Sequence, residues 1–319
     1  MKSLLLMTVV VLVVVFAVVG LAYANGGPHG GYTSTTDARA GCHRAHTAIG
    51  PYLLVASSTY ALCESCHGAG AAGANTNVDD GYFLHTRNTA VTDGVANTPD
   101  NSPLLGGGFV NYTGVAVSSS HPITGSISAA YGAGGAKRGA MGALASELDC
   151  ASCHNPHGST NYRIINTSVN GITTTVTQVD EGTAKDYHTE QWSTSISQVC
   201  KSCHTAYHVT KAGSGHDKSG TGSDYGGDTS TFAHRVDMSY SYGGNVNPET
   251  TGVVSGTVTL KLPLAGLSND TVVCTTCHMS HGTSVRMTGF ATGSSSGPTG
   301  GAALLRLDNR GVCEVCHQK

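Results

Sequence analysis

Two cysteines three residues apart, followed at once by a histidine, recur along this chain, and no other feature limits its fold as severely. The fullest form is Cys150-Ala151-Ser152-Cys153-His154-Asn155-Pro156-His157-Gly158, which returns as Cys274-Thr275-Thr276-Cys277-His278-Met279-Ser280-His281-Gly282. Shorter forms stand at Cys63, Cys66 and His67, at Cys200, Cys203 and His204, and at Cys313, Cys316 and His317. At this spacing each thiol can add to one vinyl group of a haem while the histidine ligates the iron. Zinc knuckles also use Cys-x-x-Cys, yet zinc gives no reason for a histidine directly after every second cysteine. Five motifs absorb ten of the eleven cysteines, so covalent haem c is the expected cofactor.

The eleventh cysteine lies in Arg39-Ala40-Gly41-Cys42-His43-Arg44-Ala45-His46, a doubled motif that lacks only its first cysteine. It is read as a sixth haem held by a single thioether; the alternative is a free or intermolecularly paired thiol. With it the chain resolves into three units, each a lone histidine, a doubled motif and a closing single motif. The boundaries are read as 1–24 for a leader, then 25–103, 104–215 and 216–319 for the three haem-pair units. Six irons with two axial ligands each need twelve. His43, His67, His154, His204, His278 and His317 come from the motifs, His46, His157 and His281 from the doubled strings, and His29, His121 and His234 from the lone positions. His85, His188, His208 and His216 are left over, with His208 and His188 the nearest substitutes. Three residues make about one helical turn, so the second histidine of a doubled string cannot reach round its own haem. His46, His157 and His281 are therefore expected to serve the haems at Cys66, Cys203 and Cys316. Met279 sits between two better-placed histidines, so bis-histidine ligation and low potentials are expected.

Only 6% of residues are aromatic, Trp192 is the single tryptophan, and 43 residues are glycine. Large side chains are too few to fill a core of this size, whereas haems are large flat apolar bodies that a glycine-rich chain can wrap closely. The expected fold is mostly irregular and haem-scaffolded, with short helices at the haem motifs and a few short β-hairpins. Residues 162–179 around Asn170-Gly171 read as a hairpin and residues 252–264 as a strand pair or edge strand ended by Pro263, while the glycine clusters at 132–142 and 213–227 read as loop. A formal charge of −3 without a basic run gives no footprint for nucleic acid. Lys2, an apolar run over residues 4–22 and Ala22-Tyr23-Ala24 read as a secretory leader cleaved after Ala24, or else a retained anchor. Asn111, Asn166 and Asn269 head Asn-x-Ser/Thr triplets, glycan acceptors only in a cell that glycosylates them, and Arg163, Arg286, Arg306 and Arg310 are placed to pair with haem propionates.

The strings Pro28-His29-Gly30-Gly31-Tyr32, Cys42-His43-Arg44-Ala45-His46-Thr47-Ala48 and Cys150 to Gly158 give the chain a resemblance to multihaem c-type cytochromes, and among them to the extracellular cytochromes that polymerise into conductive filaments. Arg39 departs from that pattern. The resemblance implies a head-to-tail homopolymer in which a histidine of one subunit completes a haem of the next, a role carried over here to His29. The leading expectation is thus a secreted electron conduit, a filament subunit that exchanges electrons with redox proteins or extracellular acceptors and is not an enzyme. A monomeric periplasmic shuttle is the second reading. A multihaem reductase is the third, and it needs an iron with an open position.

Overall fold

The structure, a computed structural model, describes residues 29, 38–71, 73–84, 101–136, 138–179, 191–208, 234–240, 247–248, 252–255, 258–266, 271–286, 303–308 and 311–317. The leader at 1–24, His85, His188, His216, Asn269, Arg310 and the cluster at 213–227 lie outside them.

Among the described residues regular structure is sparse, and the α-helices stand at the cysteines. Helix α1 spans Thr59–His67, α2 Cys150–Cys153, α3 Ile196–Lys201, α4 Cys274–Cys277 and α5 Gly311–His317. A helical turn is what the motif requires, because residues three apart then present both thiols on one side of the helix. Local chemistry fixes where two of these turns begin. Ser58 caps α1 by accepting from Ala61 N at 3.1 Å. Asp149 caps α2 by accepting from Ser152 N at 2.9 Å, and Ser152 Oγ accepts in return from Asp149 N at 3.0 Å, a reciprocal box that satisfies two backbone donors of the first turn.

Among the described residues the strands form one three-stranded and seven two-stranded sheets. The hairpin at 162–179 is present but short: Ser168–Val169 pairs with Ile172–Thr173 across Asn170-Gly171. Both turn residues have positive φ, 47° and 77°, the two-residue hairpin turn for which Asn-Gly is suited. Val253–Ser255 pairs with Val258–Leu260, so the segment at 252–264 is a strand pair. One reading needs correction. The cluster at 132–142 is loop as far as residue 140, where it closes a hairpin; residues 141–142 belong to the strand Met141–Ala143, which pairs with Ala129–Tyr131. Gly142 hid that strand, since a strand residue without a side chain carries no apolar signal.

Side-chain cores are small. Val176, Trp192, Ile196, Ala265 and Val273 form one, packed between α3 and α4, and Phe83 with Leu104 forms another beside the three-stranded sheet. Helix α1 lies against α2, and α3 against α4, so the motif turns themselves make the principal helix contacts.

Candidate haem-binding centre

The three doubled strings share one backbone frame. The motif histidines His43, His154 and His278 each set Nδ1 on a backbone carbonyl, that of Tyr52 at 2.9 Å, Arg163 at 3.0 Å and Ala303 at 2.8 Å. The next amide donates one residue further on: Arg44 N to Leu53 O at 2.8 Å, Asn155 N to Ile164 O at 2.7 Å and Met279 N to Leu304 O at 2.7 Å. A third bond closes each frame onto a cysteine carbonyl, from Val55 N to Cys42 O, Asn166 N to Cys153 O and Arg306 N to Cys277 O, at 3.0, 2.9 and 2.9 Å. Tyr52 and Leu53, Arg163 and Ile164, Ala303 and Leu304 all have φ between 48° and 63°. Such a conformation costs an ordinary residue about 1–2 kcal/mol, and it recurs at the same place three times. Cys42 therefore occupies the position of Cys153 and Cys277, the second cysteine of its motif. These carbonyl holders were not picked out in the sequence. The signal for them is the aliphatic pair that follows, Leu53-Leu54, Ile164-Ile165 and Leu304-Leu305.

Carbonyls only accept, so each Nδ1 in such a bond carries the proton and leaves the Nε2 lone pair free for a metal. The same holds for His204 on Tyr131 O at 2.9 Å, His29 on Pro156 O at 2.9 Å, His121 on Ser280 O at 2.6 Å and His234 on Arg235 O at 2.7 Å. Burial lowers His121 to about 4 and His281 to about 3, and it lowers His154, His204 and His278 as well. As whole residues His121 is half-buried and His278 exposed. These imidazoles are neutral at physiological pH, the form that binds iron.

The rings stand in facing pairs. Centroid separations are 6.1 Å for His29 and His67, 6.0 Å for His43 and His157, 6.2 Å for His121 and His204, 6.5 Å for His154 and His281, and 6.2 Å for His234 and His317. Interplanar angles run from 19° to 71°, so the distance is constant while the angle is not. Stacked contact is closer, with Phe109 at 4.6 Å from His281, while Tyr207 meets His204 edge-on at 6.5 Å. Two imidazoles bound on opposite sides of one metal at about 2 Å, each with its ring centre about 1 Å behind Nε2, stand roughly 6 Å apart. The donor set fits a bis-histidine haem at each pair.

Who faces whom differs from the sequence expectation. His157 lies opposite His43, not His204, and His281 lies opposite His154, not His317. The closing histidines His67, His204 and His317 face the lone histidines of their own units. His29, assigned by resemblance to a neighbouring subunit, faces His67 of its own chain. The cause is local. Helix α2 ends at Cys153, and His154 is extended at φ −114°, ψ 143°; His278 after α4 is extended at φ −117°, ψ 149°. The doubled string is therefore not a helical turn from one histidine to the next. Past His154 the chain turns at once, Gly158 N donating to Asn155 O at 3.0 Å, and the second histidine of each string is carried off its motif helix into the preceding unit. Gly107 makes room for the arrival of His281: its φ is 77°, and a Cβ there would sit 1.8 Å from Gly282 O. His281 N then donates to Gly106 O at 2.7 Å.

Neighbouring cysteines give the order of the motifs in space. Cys42 lies by Cys66 and Cys63, and Cys63 is in hydrogen-bond contact with Cys150. Cys153 lies by Cys203, Cys200 is in contact with Cys274, and Cys277 lies by Cys316 and Cys313. Consecutive motifs adjoin, so spatial order follows sequence order.

Other candidates are placed elsewhere. His208 is buried and set on Asp237 at 2.7 Å, which makes it a structural tie and not a ligand substitute. Arg306 is half-buried, donating from Nε to Thr275 O and from Nη2 to Leu105 O, while the Arg163 guanidinium lies 4.8 Å over the Tyr162 ring. Asn111 and Asn166 donate their amides to Asp80 Oδ1 and Ala151 O at 2.7 Å each, engagements that a glycan would break.

A family model described as the doubled CXXCH motif matches residues 39–72 and 142–172. This chain carries covalent haem c motifs. The doubled motif is a feature of multihaem c-type cytochromes, electron-transfer proteins, and the first match begins at Arg39, so it takes in the string that lacks a cysteine. No curated protein and no solved structure matches.

Proposed function

We propose that this protein is a secreted electron conduit: six haems, each between two histidines, lined up in the order of their motifs, with the chain repeating head to tail as a filament outside the cell. The observation that carries the reading is the set of five facing histidine pairs at one separation. Bound haem supplies an iron that gains and loses one electron without needing an open coordination position. The protein supplies the rest. Carbonyls on Nδ1 of His29, His43, His121, His154, His204, His234 and His278 fix those imidazoles in the tautomer that presents Nε2, burial favours the neutral form of His121, His154, His204, His278 and His281, and the motif turns hold neighbouring sites side by side. The sixth site uses His43 with the single thiol of Cys42, because its frame repeats that of His154 and His278. The leader read at residues 1–24 supports export, and the resemblance noted above supports the filament.

Intact-mass measurement of the mature protein, together with negative-stain microscopy, tests this. Six haem increments and fibres are expected. Five increments with a free thiol at Cys42 would remove the sixth site, and particles that stay single at all concentrations would remove the filament.

A further inference from the structure

The residue that closes each frame differs between the units in its charge. Val55, Asn166 and Arg306 each donate the backbone N–H to the second cysteine's carbonyl, at 3.0, 2.9 and 2.9 Å. That bond needs no particular side chain, as the valine shows. In the second unit the Asn166 amide also donates to Ala151 O, the carbonyl next after the first cysteine, at 2.7 Å. In the third unit Arg306 Nε makes the same bond to Thr275 O at 2.7 Å, and Nη2 donates to Leu105 O at 3.0 Å. A neutral amide serves that carbonyl as well as a guanidinium does, so the bond alone does not account for the arginine. Both of its acceptors are neutral. They hold the cation against the motif helix α4 without cancelling its charge, and among the described residues no carboxylate forms an ion pair with it. Partial burial lowers the guanidinium only to about 10, with Tyr112 and Cys277 the ionisable groups beside it, so it is charged at neutral pH.

We propose that Arg306 sets the potential of the haem at Cys274, Cys277 and His278, as a fixed cation that favours the reduced iron. When the iron takes up one electron, ferric becomes ferrous and the site loses one positive charge, so a cation held close by opposes the ferric state more than the ferrous. Arginine suits the task because it keeps its charge at any working pH. Its half-buried place matters too, since salt screens an exposed charge far more than a buried one. Burial first, and the charge of Arg306 among its neighbours, already disfavours added positive charge on His278. The first unit has valine at this position, and its Arg44, next to His43, is exposed with Nε on Ala40 O. The second has neutral Asn166 there, and its cation, Arg163, stands at the carbonyl-holding position over Tyr162. The inference rests on the electron-conduit reading and deepens it: the line of haems is not level, and its fifth motif holds an electron more firmly than the same frame closed by asparagine.

Redox titration of the holoprotein, followed by electron paramagnetic resonance, tests this. Arg306→Asn gives the third unit the residue that the second already uses, keeping a donor for Thr275 O and removing the charge. At an effective dielectric of about 20, a unit charge about 10–12 Å away changes the ferrous-to-ferric ratio about tenfold, which is about 59 mV for a one-electron couple. One haem, that at Cys274 and Cys277, should fall in potential by about that amount. Arg306→Lys keeps the charge and loses the fork, and should leave the potential close to that of the wild type. A side chain that only ties α4 to Leu105 predicts something else: both variants melt lower, and either no potential moves or both variants move it alike. Either result would overturn the inference. Should Arg306→Asn fail to keep its haems, Asn166→Arg puts the cation at the same frame position of the second unit; the potential of the Cys150 and Cys153 haem should rise, and an unmoved value would overturn the inference as surely. Intact mass counts the haems in every sample. Wild-type protein with no haem at Cys274 and Cys277 would overturn the six-haem reading and the inference together, whereas a full complement of haems with unmoved potentials would overturn the inference alone.

Discussion

Asn161 ties down the loop that carries the His154 frame with three side-chain hydrogen bonds, and replacing it by alanine gives a test whose size can be worked out. The side chain is 6% exposed. Its Nδ2 donates to Asn166 O and to Thr174 O, both at 3.0 Å, and its Oδ1 accepts from Val176 N at 3.0 Å. Asn166 O keeps a second donor in Thr174 Oγ1 at 2.5 Å, so that loss is partial. Val176 keeps none of comparable position, and with 0% exposure its N–H is left buried without water. A neutral hydrogen bond contributes about 1 kcal/mol and a stranded buried donor costs about 1–3 kcal/mol, which sums to about 2–4 kcal/mol for Asn161→Ala. In a chain of this size that corresponds to a fall of roughly 4–8 °C in thermal midpoint. Asn161→Asp sharpens the test. It keeps the acceptor for Val176 but sets a carboxylate oxygen against two carbonyls, so it should be no more stable than the alanine variant. The assay is thermal unfolding of the holoprotein, with haem content checked by mass. A midpoint within 1 °C of wild type, or an aspartate variant that melts with the wild type, would refute the hydrogen-bond accounting.

The pairing of rings makes a spectroscopic prediction: His157→Met should raise the potential of the haem at Cys42 and His43 alone, because a thioether ligand favours the reduced iron. Redox titration followed by electron paramagnetic resonance would locate the change, and a shift at the Cys200 and Cys203 haem instead would restore the discarded order. Glu64 gives a pH dependence. Burial first, and then Asp79 beside it, raises its carboxyl from 4.5 to about 7. The folded protein therefore binds this proton more tightly than the unfolded chain, so the contribution to stability is fully present below pH 4.5 and is lost as pH rises through about 7. Glu64→Gln, which cannot ionise, should flatten that part of the melting-point profile, and an unchanged slope between those values would show that Glu64 does not titrate there.

What could be read from the residues was the chemistry, and what could not was the partnership. Every Cys-x-x-Cys-His turn is legible because the motif dictates its own local geometry, one helical turn with two thiols on a side. Of the twelve histidines singled out in the sequence, ten stand in facing pairs among the described residues, and the other two are His46 and His278. Which histidine meets which is a long-range fact. It depends on where α2 and α4 stop, and nothing in Cys153-His154-Asn155-Pro156-His157 except Pro156 marks the change from helix to extended chain. The third unit hides its frame further. His43 and His154 find their carbonyls nine residues on, at Tyr52 and Arg163, but His278 finds its own at Ala303, past a long insertion, so no fixed spacing could have been aligned.

The direction of ligand exchange bears on how such a chain can fold at all. If each doubled-motif iron takes its second histidine from the following unit, no unit is a closed haem pocket, and the small cores around Val176 and Phe83 are too slight to stand in for one. The first site cannot complete itself until residues 156–157 arrive, nor the second until residues 280–281 do, so ordering should run from the C-terminal side of each joint back onto a frame that waits for it. Frames of that kind must be built before they are used. That accounts for the triple repetition of left-handed residue pairs, at Tyr52 and Leu53, Arg163 and Ile164, Ala303 and Leu304, which shape each carbonyl cradle from local sequence alone. A frame that exists ahead of its ligand does not distinguish a histidine of its own chain from one of another copy.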